Sequence, residues 1–272
     1  MRRLLALAAA ILAASALTAL PAAAQSSAPD PAQAVKRQLR ADHGVQITEV
    51  SRTVFNSKDK KSSSIGFRYN SRLQLGPASP VAVDTSMQIV LGPEVKETVE
   101  EEFPELGRAL EGPIAVTVVG GRVYMSGVYA LPRGKTWVSV EVPKSDGPVA
   151  KYVGEVASQQ KTVNVFDPAA LKTLLKGVTA KPVSGGFFYQ GKFARPKGSW
   201  RLWTDAVGLP TRLMTSRASK MMTERVDTRY TDWGMPLVVV PPPADEVVDY
   251  KELKDPWSFS ASDPQELINT VK

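Results

Sequence analysis

Cysteine is absent from the 272 residues. The fold therefore has no disulfide to rest on, no thiolate for a metal, and no cysteine to carry an N-terminal acyl anchor. Histidine is nearly absent: His43, beside Asp42, is the single one. One imidazole without thiolates cannot assemble the usual zinc or copper shells, so no metal and no cofactor is expected, and His43 reads as a solvated loop residue. Nucleophile and nucleotide signatures are missing as well. No G-x-S-x-G elbow, P-loop or G-x-G-x-x-G run occurs, and Ser126-Gly127 and Ser184-Gly185-Gly186 have no histidine partner identifiable in the sequence. Glu100, Glu101 and Glu102 are consecutive, so on a helix they diverge; they read as a solvated acidic face rather than a paired-carboxylate site. These absences predict a protein that is not an enzyme. No nucleic-acid partner is expected either. The formal charge is +7, but the basic residues are scattered. Their densest spot, Lys58-Asp59-Lys60-Lys61, is set among Asn and Ser in the manner of a hairpin loop.

One long apolar run does occur, at the N-terminus. Arg2 and Arg3 precede an uncharged stretch from Leu4 to Leu20, and Pro21 and Ala22-Ala23-Ala24 follow. A basic start, an apolar middle and a small-residue exit make residues 1–24 a secretory signal peptide, with cleavage expected between Ala24 and Gln25. The alternative is retention of the same segment as an anchor, for which it falls slightly short of the ~20 residues that span a bilayer. Export predicts a secreted, extracytoplasmic protein of the cell envelope. Without Arg2 and Arg3 the charge becomes +5. That charge reads as solubility, with transient contact at an anionic membrane surface as its other use. Residues 25–31 (QSSAPDP) are small and polar, with two prolines, and form a linker. A monomer is expected.

Beyond the linker, Asp30 and Pro31 predict a capped helix running to Arg40. Period-two alternation then dominates. Ile65, Phe67, Tyr69, Leu73 and Leu75 share one parity, and Val81, Val83, Thr85, Met87, Ile89 and Leu91 repeat it. Ile114, Val116 and Val118 lead into Gly120-Gly121, a primed-turn pair, and Val123 and Met125 lead away. Arg133-Gly134 makes a second turn before Val138, Val140 and Val142. Pro93 to Leu110 is acidic and helix-prone, divided by Pro104. Asp167-Pro168 starts a firm helix with Leu171, Leu174 and Leu175 on one stripe and Gly177 near its end. Another helix is expected within Pro148 to Gln160. Strands resume with Phe187, Tyr189 and Phe193, then Trp200 and Leu202, Leu213 and Thr215, and Val226, Thr228 and Tyr230. Pro241-Pro242-Pro243 is expected to end the last ladder. Asp205 and Asp232 stand near turn glycines and are expected to hydrogen-bond local backbone. About ten strands in two meanders, with a helical insert, predict an α+β fold: a curved antiparallel β-sheet, a half-barrel, with helices packed on its concave face.

Several of these segments also stand in a familiar order. Trp203-Thr204-Asp205-Ala206-Val207-Gly208-Leu209-Pro210-Thr211-Arg212 resembles the W-x-D-x-x-G-L-P-x-R element of LolA/LppX-type envelope lipoprotein carriers. Tyr230-Thr231-Asp232-Trp233-Gly234-Met235-Pro236 resembles the Y-x-D-[FW]-G-x-P strand that follows it, and Leu237 to Glu246 the closing proline-rich segment. Upstream, Val123-Tyr124-Met125 with Gly134-Lys135-Thr136-Trp137-Val138, and Phe166-Asp167-Pro168-Ala169-Ala170-Leu171, resemble that family's hairpin and helix start. The resemblance implies a LolA-like half-barrel domain over residues 32–250, with 251–272 as a C-terminal tail. It also implies a hydrophobic cavity that holds an acylated lipid or a lipidated protein. LppX-type members are tethered through an acylated cysteine, which this chain lacks, so the free, diffusing form of carrier is the one implied.

The reading is thus a secreted lipid- or lipoprotein-binding carrier of the bacterial cell envelope. Its alternative is a non-enzymatic cell-surface interaction or sensor module with the same fold and a filled core. Parity places Phe67, Tyr69, Met87, Ile89, Val116, Met125, Phe187 and Leu213 on the core-facing side of successive strands, and these are the expected cavity residues. Met87, Met125, Met214, Met221 and Met222 all fall in or beside strands, where thioethers fill irregular apolar space.

Overall fold

A computed structural model describes residues 28–56, 63–127, 131–141, 163–193 and 197–253. The signal segment, the Lys58 loop, Val142, the helix expected within 148–160 and most of the tail lie outside the described residues. Within them, twelve strands form one sheet: β1 His43–Phe55, β2 Ser63–Leu75, β3 Pro80–Leu91, β4 Ile114–Val119, β5 Arg122–Ser126, β6 Trp137–Glu141, β7 Lys181–Val183, β8 Gly186–Phe193, β9 Gly198–Asp205, β10 Pro210–Ala218, β11 Met222–Pro236 and β12 Val247–Asp249. Four helices accompany it: α1 Pro31–Gln38, α2 Pro93–Glu102, α3 Pro104–Glu111 and α4 Pro168–Leu175. No helix among the described residues is long and apolar enough to cross a membrane.

The strand order is β12-β6-β5-β4-β3-β2-β1-β11-β10-β9-β8-β7. Two antiparallel meanders, one from each half of the chain, are joined where β1 pairs with β11. The result is a large, open, curved sheet. The one departure from antiparallel pairing is β12, which runs parallel to β6 with Val248 opposite Val138.

Local chemistry sets the boundaries. Asp30 caps α1 by accepting from the Ala32 and Gln33 amides, and Asp167 caps α4 through Ala169 and Ala170. Pro93, Pro104 and Pro168 occupy first-turn positions where a missing N–H costs nothing. Gly120 and Gly121 have φ of +60° and +76°, as the primed turn between β4 and β5 requires. Asp205 Oδ1 accepts from the Val207 and Leu209 amides at 3.0 and 2.8 Å and so closes the β9–β10 turn.

Several expectations need correction. His43 is not a loop residue: it opens β1, a strand at the centre of the sheet, and its Nδ1 is buried without a hydrogen-bond partner. Val81 is 58% exposed while Ala82 is buried; the register shifts where β3 begins, so the alternation takes hold only from Val83. The last long ladder ends at Pro236, before the triple proline, because β11 bulges. His43 and Gly44 pair with Pro236 and Met235, whereas Gln46 already pairs with Thr231. Asp232 lies inside that bulge at φ +55° and is exposed. It is there because Asp tolerates the left-handed region better than most residues, not as the backbone acceptor expected.

One hydrophobic core joins Ala32 and Val35 of α1, Leu39 at its C-cap, Leu171 of α4 and Phe166 to inner residues of the sheet such as Val45, Ile47, Leu73 and Val83.

Candidate functional site

Pairing registers arrange the inner face of the sheet, the face that carries the core, in rows across the strands. The first row runs Val45, Leu73, Val83, Val118 and Val123, the next Ile47, Ser71, Thr85, Val116 and Met125. A third runs Leu202, Leu213, Thr228, Glu49, Tyr69, Met87 and Ile114. Toward the other end come Thr215, Val226, Ser51, Phe67 and Ile89, then Arg217, Glu224, Thr53, Ile65 and Leu91. Phe55 and Met222 stand opposite each other at the rim.

Burial falls along this axis. The first row is sealed, with Val45, Leu73 and Val83 fully buried. Residues of the N-terminal segment and of 163–175 belong to the same core cluster. Tyr189 Oη donates to the Pro29 carbonyl at 3.4 Å, and Phe166 meets Tyr230 and Trp233 with ring centroids 6.1 and 5.6 Å away. Trp233 Nε1 donates to the Pro210 carbonyl at 2.8 Å, tying the W-G-x-P bulge to the G-L-P turn. Burial pushes the Tyr230 hydroxyl well above the ordinary tyrosine range, against a smaller opposing interaction with the Thr228 side chain. Beyond the third row Trp200, opposite Thr215, is buried, but on β11, β1, β2 and β3 the inner side chains are only partly covered: Ser51, Thr53, Phe55, Ile65, Phe67, Ile89, Leu91 and Val226 are all intermediate. At the rim, the β10–β11 turn exposes Met221 and Met222 by 77% and 45%. Ser219 holds that turn by accepting from both amides. Helix α2 starts at the same end, where the Gly92 amide donates to the Ser64 carbonyl.

Polar groups mark the boundary between the two halves. Thr228 Oγ1 donates to Glu49 Oε2 at 2.6 Å, both side chains buried, and the Ser71 and Thr85 hydroxyls pair at 2.7 Å. Buried polar atoms of this kind are stable only when hydrogen-bonded.

The expected cavity residues divide accordingly. Met87, Val116 and Leu213 are buried within the core, while Phe67, Tyr69, Ile89, Met125 and Phe187 are partly buried and packed against it. Phe67 and Ile89 pair directly, as do Tyr69 with Met87 and Val116 with Met125. Phe67 and Tyr69 stack at 6.1 Å. Phe187 lies apart, at the sealed end opposite Thr204. Sequence reasoning missed Phe55 and Glu49 as members of this face. Glu49 breaks the apolar alternation that would have disclosed β1. Among the described residues no group of His, Asp and Glu side chains is placed to hold a metal.

No family model and no curated protein matches the chain. Among solved structures it is similar to a LolA superfamily protein from Nitrosomonas europaea, with 11% identity, TM-score 0.23, and 77% of this chain and 94% of that one covered. A domain of the outer membrane lipoprotein-sorting type from Vibrio parahaemolyticus gives 12%, 0.26, 74% and 89%. A DUF1329 family protein from Desulfovibrio piger gives 8%, 0.27, 77% and 92%. Likeness at this level assigns neither a family nor an activity.

Proposed function

We propose that this protein is an extracytoplasmic carrier that holds an acyl chain, of a lipid or of a lipidated polypeptide, against the half-open inner face of its sheet. The observation that carries the reading is the gradient of burial along the apolar inner face of β2 and β3, continued by Val226 on β11, beside the polar Ser51, Thr53 and the Arg217–Glu224 ion pair at the open end. Ile65, Phe67, Ile89, Leu91 and Val226 project from adjacent strands on the same side as the core, yet stay partly uncovered. A sheet face that is apolar and incompletely covered is one an apolar ligand can complete, at about 0.8 kcal/mol for each CH₂ removed from water. In this reading α1 and α4 cover the concave side at one end, and the acyl chain occupies the other, entering past Phe55 and Met222. The Glu49–Thr228 and Ser71–Thr85 pairs form its floor. The carrier acts as a free monomer outside the cytoplasm, after loss of the signal segment, and performs no chemistry on its ligand.

A fluorescent fatty-acid probe tests this. The native protein should bind it at micromolar concentration. Ile89→Trp, which fills the open half, should weaken binding by about tenfold or more, the scale of a lost hydrophobic subsite, with an unchanged circular dichroism spectrum. A native protein that takes up no acyl probe overturns the proposal and leaves a surface interaction module with the same fold.

A further inference from the structure

The opposite, outward face of the sheet is as unusual as the inner one. Over the five central strands β9, β10, β11, β1 and β2, outward positions carry Arg201, Arg212, Arg225, Arg229, Arg52, Arg68 and Arg72, the last paired with Asp84 of β3. The carboxylates on outward positions of those strands are Asp205 and Asp227. Asp205 is engaged by its turn amides, and Asp227 by the Nε and Nη2 of Arg212 at 2.8 and 2.6 Å. None of the five strands contains a lysine. The planar guanidinium, which meets phosphate through two parallel hydrogen bonds, is used throughout.

Arg212, bound to Asp227 and 5.2 Å over the Trp203 ring, and Arg52, which donates to the Ser64 hydroxyl at 3.3 Å, have partners in the fold, but the pattern of charge works against it. Arg52 stands directly opposite Arg225, and Arg212 directly opposite Arg229. Like charges opposed across a ladder are destabilising. Arg52, Arg68, Arg201, Arg225 and Arg229 are exposed, and the patch crosses four strand spacings, about 19 Å. At its centre Val50 is 53% exposed, between Asp227 and Arg68. Arg52 and Arg225 lie toward the end of the sheet where the rim displays Met221 and Met222. Basic guanidinia beside an exposed apolar tip are complementary to one kind of surface, anionic headgroups over hydrocarbon.

The geometry points to this outward arginine face as a docking surface for an anionic lipid bilayer, with the Met221–Met222 turn dipping into the interface. Docking needs no ligand on the inner face, so it is separable from the carrier reading. That reading gains from it a mouth held against the membrane.

Vesicle co-sedimentation tests the proposal, using phosphatidylglycerol mixed with phosphatidylcholine against phosphatidylcholine alone. The native protein should bind only the anionic vesicles and be released in about 1 M salt, where charges act over no more than ~3 Å. A combined Arg68→Gln, Arg225→Gln, Arg229→Gln variant should lose on the order of 100-fold in partitioning, about fivefold for each arginine. It should bind the fatty-acid probe in free solution as before. Its thermal stability in low salt should rise or hold, because two opposed pairs are relieved, which is the reverse of what a structural role would give. Met221→Gln should weaken vesicle binding several-fold. Two results overturn the proposal: equal loss from the charge-matched control Lys36→Gln, Lys172→Gln, Lys181→Gln, or stronger binding to duplex DNA than to vesicles at the same salt.

Discussion

On β2 and β3 the same apolar parity runs through both ends of the inner face, yet one end is solid and the other is not. At the sealed end Leu73, Leu75 and Val83 have no exposure, and Phe166, Tyr230 and Trp233, in contact with one another, belong to or pack against the same core. At the open end Ile65, Phe67, Ile89 and Leu91 continue the same parity but remain partly uncovered. Apolar alternation therefore specifies a face, not its burial. Burial differs with what packs on the face, and residues of α1, of α4 and around Phe166 share one core cluster with Leu73, Leu75 and Val83.

Three measurements sharpen that contrast. The largest difference is expected from truncation. Leu73→Ala, in the sealed half, should cost about 2–5 kcal/mol in denaturant unfolding, since the cavity it leaves cannot collapse. Ile65→Ala on the same strand should cost about 1 kcal/mol or less, because solvent already reaches it. Equal losses at both positions would mean that the open half is packed. A smaller contrast is expected from enlargement. Met87→Trp forces a ring into occupied space and should destabilise by about 1–3 kcal/mol, whereas Ile89→Trp, one pair along the strand, should leave the thermal midpoint nearly unchanged. The smallest effect is in pH. Tyr230 is ordinary in the unfolded chain, near 10.0, and raised by burial in the fold. The folded state then holds this proton more tightly, so its stabilising contribution is complete below pH 10 and declines as pH rises above it. Tyr230→Phe should flatten that alkaline decline, and a decline of unchanged slope would place its origin elsewhere.

Much of this architecture is legible in the sequence, and the exceptions have physical causes. Parity identifies β2 to β6 and β8 to β11, because apolar residues recur at alternate positions along most of them. Asp-Pro pairs identified α1 and α4, because cap and first-turn chemistry are local. β1 was invisible. Its inner positions read Val45, Ile47, Glu49, Ser51 and Thr53, and Glu49 can be buried only because Thr228, far along the chain, donates to it. β7 and β12, at three residues each, are too short to show a period. The apolar run Leu237–Val240 looks like a strand but is not one. The bulge at Asp232, Trp233 and Gly234 carries the chain out of the ladder, and Val238 and Val240 face solvent. For the site, the apolar parity of Phe67 and Ile89 was readable. The gradient between the two ends was not, since it depends on tertiary placement.

The seam between β1 and β11 has a kinetic consequence. Every other antiparallel pairing in the sheet joins strands that are neighbours in sequence, but this one brings His43 against Pro236 and Phe55 against Met222. The entropy of closing so long a loop must be met before its contacts reward it, so the two halves should zip separately and the seam last. Until then β1, thirteen residues long, is a bare edge able to accept a strand from any chain. A chain emerging N-terminus first would display that edge for nearly all of its synthesis, and domain-swapped dimers exchanging β11 are the misassembly this topology invites.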